Sequence, residues 1–129
     1  MGTIVNVTSG LVYAPLFIEP NYCATKAALH SMTQSMRVQF SRLGINVQEI
    51  FYPAVDTPFQ DGHAPNFAIQ PDKAAGIALK ALNRGKSEIL VKKAGFLSLI
   101  SRLMPQKSVA TINKAVSDNV EKLLAGENC

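Results

Sequence analysis

The chain has 129 residues, enough for one ordinary domain with a single hydrophobic core. Apolar residues make up 47% of the chain and charged residues 17%, a globular composition that excludes intrinsic disorder. The net charge of +4 comes from scattered lysines and arginines with little aromatic interleaving, so we do not expect nucleic-acid binding.

The first half of the chain alternates between strand and helix patterns. "TIVNV" (Thr3 to Val7) is rich in β-branched residues and is followed by Thr-Ser-Gly, which predicts a short strand ending in a loop. Apolar residues at helical spacing then predict a long helix from about Asn21, a candidate N-cap, to about Leu43, with Gly44 as its stop. "INVQEIFY" (Ile45 to Tyr52) predicts a second strand.

The second half begins with an aperiodic segment, Pro53 to Gln70, of the kind that forms functional lids or is disordered. A helix is predicted from about Pro71 to Asn83, with Gly85 as its cap, followed by a strand from Ser87 to Val91. Two amphipathic helices are predicted in the tail, "GFLSLISRLM" and "SVATINKAVSDNVEKLLAG", the second capped by Ser108.

This order of elements predicts an α/β fold. Strands that alternate with helices favour parallel βαβ units, here a partial sheet of about three strands (residues 1–93) followed by a helical tail (residues 94–129). If the strands lie side by side in chain order, right-handed crossovers place the helices mainly on one face. The other face and the edge of the first strand would then be bare. We therefore expect a homo-oligomer or larger assembly, or a monomer of low stability.

Three reactive side chains lie close together in sequence between the first strand and the long helix. Tyr22 and Lys26 are four residues apart, so on a helix they project from the same face. An ammonium group beside a phenol favours the phenolate and makes proton transfer easier near neutral pH. Ser9 could donate its hydroxyl to an oxygen that becomes charged during a reaction. Each feature alone is common in surface contacts and turns, but together they favour chemistry on a carbonyl or alcohol.

Three segments resemble motifs of the short-chain dehydrogenase/reductase family. "IVNVTSG" resembles the strand that carries the catalytic serine, which assigns that role to Ser9. "YCATKAAL" resembles the Tyr-x-x-x-Lys helix, which assigns the acid/base to Tyr22 and its lysine to Lys26. "YPAVDTP" resembles the Pro-Gly-x-Val-x-Thr segment that borders the nicotinamide, with Val55 and Thr57 in the matching positions.

The resemblance spans roughly residues 2 to 93 and implies a Rossmann-like, NAD(P)-dependent oxidoreductase that interconverts a small-molecule alcohol and a carbonyl. It assigns the cofactor contacts, to NAD or NADP, to Tyr22, Lys26, Pro53, Val55 and Thr57. Tyr52 and Pro53 depart from the pattern, because the family usually has proline and glycine there. The segment after Thr57 would contact the substrate, and no metal-ligand spacing is present.

The resemblance also implies an absence. The sequence has no glycine-rich turn to hold a dinucleotide pyrophosphate, and the family's catalytic asparagine is missing. We therefore expect a truncated C-terminal half, starting at the fifth strand, that is inactive until an N-terminal half complements it, or a part of a longer gene product. The alternative is a non-catalytic relative that acts as an oligomerisation or interaction module, with Met32, Met36 and Phe40 as candidate contacts. The substrate and the choice of NAD or NADP cannot be read from this sequence.

The remaining features favour ordinary structural roles. Cys23 and Cys129 lie far apart, which suits a reducing cytoplasm, and no signal peptide is evident. Asp61 and His63 could touch substrate, although the ordinary polarity of a loop is the preferred explanation. The basic, amphipathic segment after the third strand could lie on an anionic membrane, but docking on the bare sheet face or on a partner explains it as well, so we do not expect membrane contact.

Overall fold

The computed structural model describes residues 2–60 and 64–124. Its helices and strands follow in this order: β1 (Thr3–Ser9), α1 (Pro20–Ser41), β2 (Asn46–Tyr52), α2 (Pro71–Leu82), β3 (Glu88–Leu90), α3 (Lys93–Leu103) and α4 (Pro105–Leu124). Short 3-10 turns lie at Gly10–Val12 and Pro58–Gln60. The sheet order is β1-β2-β3 and both pairs are parallel. The predicted α/β class and the three-stranded parallel sheet are therefore confirmed.

Local chain chemistry explains where the first two long helices begin and end. α1 begins at Pro20, whose fixed φ suits the first helical position, and Glu19 precedes it as the cap residue. The predicted cap at Asn21 is therefore wrong. Gly44 follows α1 with φ +66° and Gly85 follows α2 with φ +69°, the left-handed conformation that glycine adopts most readily. Both predicted glycine stops are confirmed.

The hydrophobic core lies between α2 and one face of the sheet. Apolar side chains of β2 and β3 meet two alanines of α2, whose small size lets the helix approach the sheet closely. The buried members of this cluster are Ile50, Ile69, Ala74, Ala78, Ile89 and Val91. On the same face of β2, Gln48 donates to the backbone oxygens of Leu82 at 3.3 Å and Lys86 at 2.9 Å.

The helix α1 packs on the opposite face of the sheet. Glu49, next to Gln48 in β2, contacts His30 and Arg37 of α1, at 3.0 Å and 3.3 Å. Successive side chains of a strand point to opposite faces, so α1 and α2 cover opposite sides of β2. The prediction that both helices share one face is therefore wrong.

The connection between β2 and α2 gives the physical reason. Both crossovers step in the same direction across the sheet, so helices on opposite faces require crossovers of opposite hand. Right-handed crossovers make up about 98% of such connections, so one of these two crossovers is an exception to the rule. Here the chain first forms a paired ribbon, in which Asp56 N donates to Ile69 O at 3.0 Å and Ile69 N donates to Ala54 O at 3.1 Å. Ile69 and Val55 pack with the α2 cluster, so the ribbon brings the chain to that face.

One side of β1 is bare, as predicted. Val5 and Val7 point away from α1 and are 40% and 45% exposed. Asn46 N donates to Gly2 O at 2.9 Å, so the even-numbered residues of β1 direct their backbone groups towards β2. The odd-numbered residues direct theirs towards the outer edge, where the described part of the chain places no further strand.

The tail helices are attached to the first loop of the chain. Asn113 of α4 accepts from Phe17 N at 2.8 Å and donates to Pro15 O at 2.9 Å. α4 begins at Pro105 rather than at Ser108, whose hydroxyl lies inside the helix and donates to Pro105 O at 2.7 Å. The predicted cap at Ser108 is therefore wrong. The predicted end of this helix, at Gly126, lies outside the described residues.

In residues 2–60 and 64–124, no helix combines the length and the hydropathy needed to cross a bilayer.

Candidate active site

The residues assigned to catalysis and cofactor contact follow the carboxyl ends of β1 and β2. Ser9 ends β1 and is paired in register with Tyr52, which ends β2. Pro53, Val55 and Thr57 follow Tyr52 directly. In open parallel sheets, ligands bind at the carboxyl ends of the strands. The parallel pairing therefore brings two of the three sequence motifs to one end of the sheet.

Lys26 attaches the third motif, on α1, to β1 near this end of the sheet. Its Nζ donates to Val7 O at 3.1 Å, and this carbonyl is one of the odd-numbered groups that face the open edge of β1. The same Nζ lies 5.7 Å from the centre of the Tyr22 ring. The ammonium thus lies beside both the tyrosine and the strand that ends in Ser9.

Ser9 is nearly buried, and its hydroxyl caps the 3-10 turn that follows. Its Oγ accepts from Leu11 N at 3.2 Å. Since a hydroxyl has one proton and two lone pairs, this bond leaves the Ser9 proton available for donation.

Tyr22 is covered on one side by the segment that follows Thr57. Its ring centre lies 6.1 Å from that of Phe59, in the 3-10 turn Pro58–Gln60. Before Thr57, the chain forms the ribbon in which Val55 is paired with Ile69. The prediction of an irregular segment from Pro53 to Gln70 is therefore incomplete. Asp61 and His63 lie outside the described residues.

Tyr13, which follows the 3-10 turn after Ser9, has a different environment. Its ring stacks on Phe51 at 5.4 Å between centres. Burial raises the pKa of Tyr13 above its ordinary value of 10.0, so the phenol holds its proton more tightly. A role in proton exchange near neutral pH therefore suits Tyr13 poorly.

A buried polar network fixes α1 against the sheet beneath these residues. The Glu49 side chain has 0% exposure and accepts from Thr8 Oγ1 at 2.9 Å, with His30 Nδ1 at 3.0 Å and Arg37 Nη2 at 3.3 Å. Arg37 also binds Glu88 at 3.1 Å, which extends the network to β3. Thr8 precedes Ser9, and His30 lies one turn beyond Lys26. The network therefore holds the serine strand and the Tyr-Lys helix in fixed relation.

Sequence reasoning missed Glu49, although a signal was present. A carboxylate in the middle of the apolar run "INVQEIFY" requires a buried cation or donor as its partner. His30 on α1 faces this carboxylate and the ring of Phe51, 5.3 Å away between centres. Cys23 is 3% exposed and accepts from Leu16 N at 3.3 Å, so it is a packed residue.

An apolar groove lies next to the site. The loop after β1, the first turns of α1 and the side of α4 enclose about 510 Å³. Its lining includes Leu11, Phe17, Pro20, Ala24 and Val109. Within the described residues, no three His, Cys, Asp or Glu side chains gather closely enough to hold a metal ion.

At this end of the sheet Ser9, Tyr22 and Lys26 offer two hydroxyls and an ammonium, which can hydrogen-bond the oxygens of a bound small molecule. The sequence lacks a glycine-rich turn of the kind that holds a dinucleotide pyrophosphate.

The parallel α/β fold, with polar side chains at the carboxyl end of its sheet, defines a Rossmann-like protein. Residues 1–66 match the family described as short chain dehydrogenase, and the chain belongs to that family. It is 40% identical over 91 residues to the uncharacterized oxidoreductase DltE of Bacillus subtilis, covering 67% of this chain and 36% of that protein.

Two solved structures share the fold. A short chain dehydrogenase from Burkholderia cenocepacia in complex with NADP has a TM-score of 0.77 and 25% identity, over 85% of this chain and 46% of that one. A short-chain dehydrogenase from Sphingobium yanoikuyae in complex with NADPH has a TM-score of 0.63 and 25% identity, over 97% and 45%. The chain therefore spans less than half the length of these relatives.

Proposed function

We propose that this chain carries the proton-transfer part of an NAD(P)-dependent oxidoreductase that interconverts an alcohol and a carbonyl compound. The observation that carries the proposal is the position of Lys26 Nζ, 3.1 Å from Val7 O and 5.7 Å from the Tyr22 ring centre. This position links the Tyr-Lys helix to the strand that ends in Ser9. The nicotinamide, when bound, supplies or accepts the hydride.

The three side chains divide the work on the substrate oxygen. Tyr22 donates a proton to it in the reducing direction and takes the proton back in the oxidising direction. The Lys26 ammonium stabilises the negative charge left on Tyr22. Ser9 donates its remaining hydroxyl proton to the same oxygen as charge develops there.

Cofactor contacts are proposed for Tyr22, Lys26, Pro53, Val55 and Thr57. Because the glycine-rich turn is missing from this sequence, we expect this chain alone to bind NAD or NADP weakly. The complementary half of a dehydrogenase domain would supply that turn and a strand beside β1. The bare edge of β1 and the exposed Val5 and Val7 give such a strand a place to pack.

Co-expression with the first half of a complete short-chain dehydrogenase tests this proposal. Turnover of NADPH with a panel of ketones should appear only when both halves are present. Tyr22→Phe should abolish it, whereas the control Tyr13→Phe, which removes a hydroxyl of the same loop region, should retain it. Turnover that survives Tyr22→Phe in a complex of both halves would contradict the assignment.

The second candidate is a non-catalytic interaction module, favoured by the same open edge. Met36 packs towards the sheet, where Asn6 Nδ2 lies 3.8 Å from its sulfur, whereas Met32 is 52% exposed. A homo-oligomer would use β1, Met32 or both. Stable assembly with itself or with a complete relative, without any change in nucleotide fluorescence, would favour this function over catalysis.

We place either function in the cytoplasm. The free thiol of Cys23 is buried, and cytoplasmic conditions keep thiols reduced. Fractionation of cells that express the native protein tests this location.

A further inference from the structure

The outward side of α3 is apolar and uncovered in the described structure. Phe96, Leu99 and Leu103 are spaced by three and four residues, so they share one side of the helix. Their exposures are 68%, 57% and 71%, and Met104, directly after the helix, is 44% exposed. We call these four residues the α3 apolar face. Docking on the bare face of the sheet, favoured from the sequence, does not cover them.

The opposite side of α3 anchors the helix to the domain. Ala94 and Ser98 are 2% and 3% exposed. Gly10 packs so closely here that a Cβ on it would lie 3.4 Å from Ala94 and 3.8 Å from Leu97. The α3 apolar face is therefore held outward by a packed inner side.

The charged residues of α3 and of the chain on either side of it are of one sign. Between Glu88 and Asp118 the sequence contains no aspartate or glutamate. The basic residues in this interval are Lys92, Lys93, Arg102, Lys107 and Lys114. Arg102 follows Leu99 by three residues, and Lys107 lies in the first turn of α4; both are exposed. Exposed apolar residues with basic residues before and after them in the chain are complementary to an anionic lipid surface.

We propose that the α3 apolar face docks on an anionic membrane surface. Phe96, Leu99 and Leu103 enter the boundary between headgroups and acyl chains, while Arg102 and Lys107 contact lipid phosphates and carboxylates. The helix lies in the plane of the surface, as short amphipathic helices do. This surface function does not depend on the proposed catalysis, because its residues are separate from the active-site motifs.

Vesicle sedimentation with the full chain tests the proposal. The chain should bind vesicles of phosphatidylserine and phosphatidylcholine, bind phosphatidylcholine alone far more weakly, and dissociate as salt is raised. Leu99→Gln should lower the partition coefficient about tenfold, and Arg102→Gln about fivefold. Leu79→Gln is the matched control, since Leu79 of α2 is also exposed, at 59%, and it should leave binding unchanged.

Leu103→Gln provides a second variant should Leu99→Gln fail to fold, which circular dichroism reports. Equal binding to both vesicle types, no binding, or full binding by a folded Leu99→Gln chain would overturn the proposal. So would a change from oligomer to monomer in Leu99→Gln without an effect on vesicles, because the face would then be an interface between copies.

Discussion

The buried carboxylate of Glu49 allows a direct test of how α1 is held on the sheet. Replacing it with glutamine keeps the shape but removes the charge and puts an NH₂ donor in place of one oxygen. The donors Thr8 Oγ1, His30 Nδ1 and Arg37 Nη2 lie within 3.3 Å of the carboxylate. The amide cannot accept from all three, so at least one buried donor loses its partner.

The expected loss of stability follows from these contacts. Breaking a buried ion pair by removing one partner costs about 3–5 kcal/mol. Arg37 keeps its bonds to Glu88 at 3.1 Å and to Ser87 O at 2.9 Å, so we expect the lower end, about 3 kcal/mol. The control is Glu88→Gln, because the Glu88 side chain is 31% exposed and binds the same arginine. That change should cost only about 0–1 kcal/mol.

Urea unfolding followed by far-ultraviolet circular dichroism measures both changes. A double-mutant cycle of Glu49→Gln with Thr8→Val should also show coupling, because the two side chains share a hydrogen bond. Equal and small losses for Glu49→Gln and Glu88→Gln would refute the reasoning. The carboxylate would then be an incidental feature of the strand rather than the group that fixes α1.

Five further substitutions test other features. Because burial raises the pKa of Tyr13 in the folded state, stability should fall as pH rises above the unfolded value near 10, and Tyr13→Phe should lessen this fall in thermal melts. Gly76→Ala, inside α2, adds a Cβ that meets no atom within 4 Å outside its own stretch of helix, so it should stabilise by about 0.5–1 kcal/mol. Gly44→Ala, at φ +66°, should destabilise by about 1–2 kcal/mol in the same urea assay. Val7→Lys should dissociate an oligomer built on the edge of β1, whereas Met32→Lys should dissociate one built on α1. Light scattering distinguishes these two results. An oligomer that neither substitution dissociates would exclude both surfaces as its interface.

Local sequence patterns predicted much of the fold because they depend on near neighbours. β-branched runs gave the strands, and Gly44 and Gly85 marked helix ends because the backbone there is left-handed. The four-residue spacing of Tyr22 and Lys26 brings both side chains together whatever the rest of the fold does. These features need no knowledge of distant contacts.

The features that were missed depend on contacts across the chain. The side of the sheet taken by α2 depends on the pairing of Val55 with Ile69, fourteen residues apart, which no local period reveals. The role of Glu49 depends on partners in β1 and α1, of which the nearest in sequence is Arg37, twelve residues away. Ser108 looked like a cap, but packing and the proline before it extend α4 by a turn.

The position of Lys26 connects the open edge of β1 with the candidate chemistry. Its ammonium donates to Val7 O, one of the backbone groups that an added parallel strand would approach. A carbonyl oxygen has two lone pairs, so Val7 can accept from an incoming strand and still hold Lys26. Completing the sheet would therefore stabilise β1 without displacing the lysine from Tyr22. Under the proposed function, Tyr22 and Lys26 would therefore keep their positions when a complementary half pairs with β1.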